Sequence, residues 1–231
     1  MLMLTQTLAI TFLLFIGIFP NPDFIETTPN TVTTIDPTSA IYEGLHNTNG
    51  VLPSKEVFTL AIQGWNKMKG NLKSKVLTVI DFSLPSTAKR MWVIDPVKGE
   101  ILLNSVVSHG RNSGDLMANA FSNQPESFKS SLGFYKTAET YSGKHGYSLR
   151  LDGLEKGFND QARNRAIVIH GADYAREEFA KSVGRLGRSL GCPALPSELS
   201  AKAIDLIKEG SLLFIFGNDD TYLSKSSLIK A

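Results

Sequence analysis

The chain has 231 residues, 42% hydrophobic and 20% charged, and its 24 lysines and arginines against 22 aspartates and glutamates leave a net charge of +2. That length and composition suffice for one well-buried domain. No dense Lys/Arg block is present, so the chain carries no nucleic-acid footprint, and no nucleic-acid partner is expected.

The first informative segment is the uncharged run Leu8 to Phe19, which ends at Pro20. It is too short to span a bilayer comfortably and matches the apolar core of a signal peptide. Residues 1–20 are therefore expected to be a signal peptide. Because no Lys or Arg precedes the run and no small-x-small cleavage site follows it, the alternative is an uncleaved anchor that associates the protein with a membrane. Either reading implies export, to the periplasm or cell envelope. Residues 21–50, rich in Thr, Pro and Asn, read as a tether or loosely ordered lead-in, and residues 51–231 as the globular domain.

Within that domain, Ser54 is a capping residue, and Val57, Leu60, Ala61, Gly64, Trp65 and Met68 recur at helical spacing, which predicts an amphipathic helix over 54–69. Strand patterns follow at 75–82, 90–95 and 100–107, the last two joined by a turn at Asp95-Pro96-Val97-Lys98-Gly99. Further short strands are predicted at 133–137, 147–151 and 165–170. The polar, glycine-containing stretch from Gly110 to Ser131 lies between sheet elements and is the expected cover of a site. Finally, 196–209 has helical periodicity, Gly210 ends it, and 211–216 is a last strand.

Cys192 is the only cysteine, and it closes the run Gly187-Arg188-Ser189-Leu190-Gly191-Cys192-Pro193. A single cysteine in an exported protein forms no internal disulfide, so a free thiol needs a reason. A thiol of pKa about 8.5 is mostly protonated at neutral pH, and the thiolate is the attacking species. His170, at the end of the apolar run Ile167-Val168-Ile169, is the candidate base, because an imidazole takes and returns a proton near working pH. Gly191 permits a sharp turn, after which the N–H groups of Gly191 and Cys192 are placed to meet a developing oxyanion. The alternative is that the cysteine is a small buried hydrophobe, but its place in a loop between glycine and proline argues against that.

His170-Gly171-Ala172 paired with Ser189-Leu190-Gly191-Cys192, with a helix and a strand entry beyond, resembles the catalytic domain of the murein L,D-transpeptidases. Val107-Ser108-His109-Gly110, Ser131-Leu132-Gly133-Phe134-Tyr135 and Gly143-Lys144-His145-Gly146 extend the likeness to a divergent branch of that family. The resemblance implies a β-rich α+β fold, a mixed β-sandwich with an N-terminal helix and a helix after the cysteine loop. It implies cysteine acyl transfer on peptidoglycan stem peptides, without a cofactor. Cys192 attacks the carbonyl before the terminal D-alanine, and an amine or water resolves the thioester. His170 serves as base and then acid, oriented by an acceptor that is either the Gly171 carbonyl or Ser189. One departure stands out: an Arg or Asn typical two residues after the cysteine is replaced by Pro193-Ala194.

That absence directs attention to Arg188 and Arg185, whose planar forks match a substrate carboxylate; Arg188 alternatively braces its own loop through carbonyls. Three His-Gly pairs punctuate the chain. His109 is expected to contact substrate, and His145 to be a loop residue. No short ligand spacing joins the histidines, so no metal site is expected. A different thiol hydrolase of wall peptides, such as an L,D-carboxypeptidase, and a non-catalytic peptide-binding module are the competing readings.

Overall fold

The structure, a computed structural model, describes residues 37–46 and 50–230. The signal or anchor expected over 1–20 and the first part of the lead-in lie outside the described residues. Among the described residues no helix is long and apolar enough to cross a membrane.

Helix α1 (Pro37–Glu43) lies within the expected tether, and the packing of the domain therefore begins before Val51. The Tyr42 ring meets Phe58 at 5.4 Å, and Leu45 is buried in the core. The His46 backbone pairs beside residues 99–101. A Thr/Pro/Asn-rich composition concealed these few apolar anchors.

Helix α2 (Lys55–Met68) is capped by Ser54, whose side chain accepts from the Val57 N–H. Its buried face holds Val57, Phe58, Ala61, Ile62 and Trp65. Gly64 lies on that face, where a Cβ would sit 2.1 Å from the Phe134 ring, so glycine is what lets the helix settle on the sheet.

One eight-stranded mixed sheet forms the rest of the scaffold. Its strands are β1 (Leu77–Asp81), β2 (Met91–Asp95), β3 (Glu100–Ser105), β4 (Gly133–Gly143), β5 (Gly146–Gly153), β6 (Val168–Gly171), β7 (Ala194–Leu195) and β8 (Leu212–Phe216). They run in the order β3-β2-β1-β8-β4-β5-β6-β7. The central β1 and β8 pair in parallel and are buried at every position, which is why both read as continuous apolar runs rather than alternating ones. Phe134 and Phe214 stack at 4.3 Å between adjacent strands.

The chain after β3 returns to the far edge of the sheet. The Ser108 N–H donates to the Ala194 carbonyl at 2.8 Å, so the sheet curls until it nearly closes into a barrel. Helices α3 (Glu177–Val183), α4 (Ser197–Ile207) and α5 (Asp220–Lys225) complete the domain. The β-rich α+β class, the helix before the sheet and the helix after the cysteine loop are as the sequence indicates. α4 packs on β6, the strand that carries His170.

Candidate active site

Strand pairing brings the two distant residues to one place. β6 and β7 are parallel with His170 opposite Ala194, so Cys192 lies two residues before the register partner of the histidine. Both line a cleft of about 430 Å³ together with Tyr141, Lys144, His145, Arg165, Tyr174 and Arg188. Among the described residues no Asp or Glu lines it, so the cleft presents a cationic wall to whatever enters.

The thiol is half-buried. Its sulfur accepts from the Val168 N–H at 3.5 Å and faces the Ala166 carbonyl at 3.7 Å. Burial pushes the Cys192 thiol up, opposed by the Val168 N–H and the Arg165 guanidinium. Burial lowers the His170 pKa; the Gly171 carbonyl acts in the opposite sense, and the ring of His145 lowers it further. The resting pair is thus neutral thiol and neutral imidazole at neutral pH. His170 Nδ1 lies 2.9 Å from the Gly171 carbonyl. A carbonyl can only accept, so Nδ1 carries the proton and Nε2 keeps a lone pair. Among the described residues Nε2 and the sulfur share no hydrogen bond.

The turn that carries Cys192 is held from within by Ser189. Its hydroxyl accepts from the Gly191 N–H at 3.0 Å and donates to the Cys192 carbonyl at 2.6 Å. Of the two acceptors considered for orienting His170, the Gly171 carbonyl occupies that position and Ser189 serves the turn. The same bond occupies the Gly191 N–H, which corrects the expectation that it faces an oxyanion. The Cys192 N–H makes no hydrogen bond among the described residues. Gly191 has φ +123°, and a Cβ there would meet the Lys129 carbonyl at 2.9 Å.

The segment from Gly110 to Ser131 braces this turn instead of covering the cleft. The Arg111 N–H donates to the Ser189 carbonyl at 2.8 Å, and Ser130 Oγ donates to the Gly191 carbonyl at 3.3 Å. Arg165 ties the segment in place through the Ser122 and Lys129 carbonyls, at 2.7 and 2.6 Å. None of the segment's residues lines the cleft.

His109 does not reach the cleft either, contrary to expectation. It is 1% exposed, with Nδ1 accepting from Arg90 at 2.8 Å and Nε2 donating to the Gly114 carbonyl at 3.2 Å. Burial and then the Arg90 charge lower its pKa to about 4. The tight fit of an apolar strand end hides such a histidine, and a His-Gly dipeptide alone does not reveal it. Arg188 lines the cleft while its NH1 donates to the Arg111 and Gly114 carbonyls, both at 3.2 Å, and to Asp115 at 2.6 Å. This is the bracing role weighed for it. Arg185 is turned to the Leu186 carbonyl and the Asp115 side, away from the cleft lining. Ala194, two residues after the cysteine, is a buried strand residue whose backbone pairs on both sides.

His145 is the turn residue expected of it, between β4 and β5, but nothing in the sequence signals its contact with the site. Its ring stacks on His170 with centroids 4.4 Å apart and planes 27° apart. Tyr141, Lys144, Arg165 and Tyr174 were missed as well. The hairpin tip carrying the first two showed no apolar alternation, and only the recurrence of His-Gly pointed to it. Among the described residues no three His, Cys, Asp or Glu side chains gather as a metal site.

A nearly closed mixed sheet whose seam holds a cysteine and an imidazole in one cationic cleft defines an α+β domain with a thiol–imidazole site. The chain belongs to the L,D-transpeptidase catalytic domain family, whose model matches residues 51–216. Solved structures similar to it include an L,D-transpeptidase from Mycobacterium smegmatis, 17% identical over 62% of this chain and 58% of that one, with a TM-score of 0.37. Another, from Stackebrandtia nassauensis, is 16% identical over 71% of this chain and 67% of that one, with a TM-score of 0.38. A third, an L,D-transpeptidase solved in complex with imipenem, is 15% identical over 61% and 58%, with a TM-score of 0.38. The chain thus spans 58% of the length of the first of these. No curated protein matches the chain.

Proposed function

We propose that this protein is an exported cysteine acyltransferase that remodels peptidoglycan stem peptides by L,D-transpeptidation. The observation that carries the proposal is the fixed tautomer of His170: Nδ1 is spent on the Gly171 carbonyl, and Nε2 is left to accept a proton in the cleft that also holds Cys192. A raised thiol pKa makes such a base necessary, because little thiolate exists without it.

In this reading the stem peptide lies along the cationic wall, where Lys144 and the guanidinium of Arg165 favour its carboxylates. His170 Nε2 takes the proton from Cys192, and the sulfur attacks the carbonyl that precedes the terminal D-alanine. The Cys192 N–H is the donor available to the oxyanion. His170 then gives its proton to the departing amine, D-alanine leaves, and a thioester remains. An acceptor amine attacks the thioester, loses its proton to His170, and releases the thiol as the cross-link forms.

Incubation with a purified disaccharide tetrapeptide tests this by mass spectrometry. The wild-type protein is expected to yield free D-alanine and a cross-linked dimer, and Cys192→Ala neither, a loss on the order of 10⁴-fold or more. A tripeptide without dimer would identify the L,D-carboxypeptidase reading instead. Equal turnover by Cys192→Ala would end the thiol mechanism.

A further inference from the structure

The β4–β5 hairpin outruns the sheet that supports it. Only residues 133–136 of β4 pair with β8, whereas Thr140 to Gly143 pair with β5 alone. Between the two halves the register shifts, with Thr137 opposite Leu151 and Thr140 opposite Leu149, so one extra residue sits in β4. Such a bulge bends the strand beyond it. The bent tip brings Tyr141, Lys144 and His145 to the cleft.

His145 is itself exposed, yet its ring lies flat on that of His170, which is only 3% exposed. Among the described residues the His145 ring makes no hydrogen bond. Its partner is fixed along one edge by the Gly171 carbonyl, and the stack fixes a face. An edge and a face together determine a plane.

We infer that His145 is a positioning residue: it latches the hairpin tip onto the His170 ring, fixing the ring's plane and shielding it from water. The inference rests on the reading of His170 as the base. The stack also bears on the charge of His170, whose protonation the neighbouring His145 ring opposes, with no carboxylate lining the cleft. The other groups around His170 are cationic or weakly acidic. They are Lys144 and Tyr141 on the tip, Arg165 before β6, Tyr174 after it, and Arg188 and Cys192 on the nucleophile loop. The register partners on either side, Ser148 and Ala194, carry no charge, and α4 presents Ser197 and Ser200 to Gly171.

Two variants separate the stack from the charge. In His145→Ala, kcat for D-alanine release should fall roughly tenfold with little change in KM, because the base is less well aimed. The acidic limb of the pH profile should move to higher pH, because His170 loses both a cover and a neighbouring positive charge that oppose its protonation. His145→Phe keeps a flat ring without a charge, so kcat should recover while part of the displacement remains. Unchanged kcat and limb in His145→Ala, or a His145→Phe protein as slow as His145→Ala, would overturn the latch. NMR titration of the His170 ring in Cys192→Ser protein, with and without His145→Ala, reads the same coupling without turnover. A displaced His170 titration in a protein that releases no D-alanine upholds the latch and removes the enzymatic reading. An unmoved titration in an active enzyme removes the latch alone.

Discussion

The cysteine turn and the hairpin tip border the same cleft but are held in opposite ways. The turn from Ser189 to Cys192 is pinned on every side: the Ser189 hydroxyl inside it, the 109–111 backbone beneath it, and Ser130 behind it. The tip from Tyr141 to Gly146 projects past the sheet and rests on the site through one ring stack. The difference would serve two requirements of the acyl transfer proposed for this site. A sulfur must be placed to within fractions of an ångström, whereas a wall that admits large peptides must give way.

Substitutions in the pinned region should cost both stability and rate, and they sharpen the contrast with the tip variants above. The largest effect is expected for Gly191→Ala, which forces a side chain into φ +123° and against the Lys129 carbonyl. A loss of about 3 kcal/mol in denaturant unfolding and on the order of 100-fold in kcat is anticipated. A protein of unchanged stability would show that the turn gives way as readily as the tip.

The floor of the turn supplies the next test, through acid stability. His109, whose carbonyl accepts from the Ser189 N–H, is neutral in the fold with a pKa near 4. The unfolded chain protonates its histidine near pH 6.5, so between those values the unfolded state binds more protons and stability rises with pH. The contribution is complete above about pH 6.5 and is lost as pH falls to about 4, a span of about 3 kcal/mol. His109→Asn keeps an acceptor for Arg90 but cannot titrate, and its unfolding free energy should depend less steeply on pH in this window. His170, also lowered, leaves a residual slope.

The smallest effect is expected for Ser189→Ala, which removes two hydrogen bonds and leaves the backbone contacts of the turn in place. About 1–2 kcal/mol of stability should be lost, and kcat should drop about tenfold as the turn loosens. If kcat fell with no loss of stability, the hydroxyl would be acting on substrate rather than on the turn.

The same contrast explains what could be read in the sequence. Buried elements announced themselves: the helix predicted over 54–69 is α2 at Lys55–Met68, and the strand predicted over 211–216 is β8 at Leu212–Phe216. Their faces are dictated by the core, so apolar spacing reports them. The spacing predicts only 133–137 and 147–151, nine residues short at the outer end of the hairpin (138–146), because Thr140, Ser142 and Gly143 have no core to face. What the tip touches depends on tertiary contacts rather than periodicity, so His145 is legible as a loop residue but its stack on His170 is not. Cys192 and His170 were legible because their chemistry is rare at that spacing. His109 shared the dipeptide but not the surroundings, and burial beside Arg90 turned it into part of the framework.

The closure of the sheet has a further consequence. β7 is two residues long, yet it joins His170 on one side and Ser108 on the other. The cysteine loop therefore hangs beside the shortest stitch in the fabric. In the proposed mechanism, whatever holds that seam shut also holds the sulfur in place, so local order and reactivity fail there together.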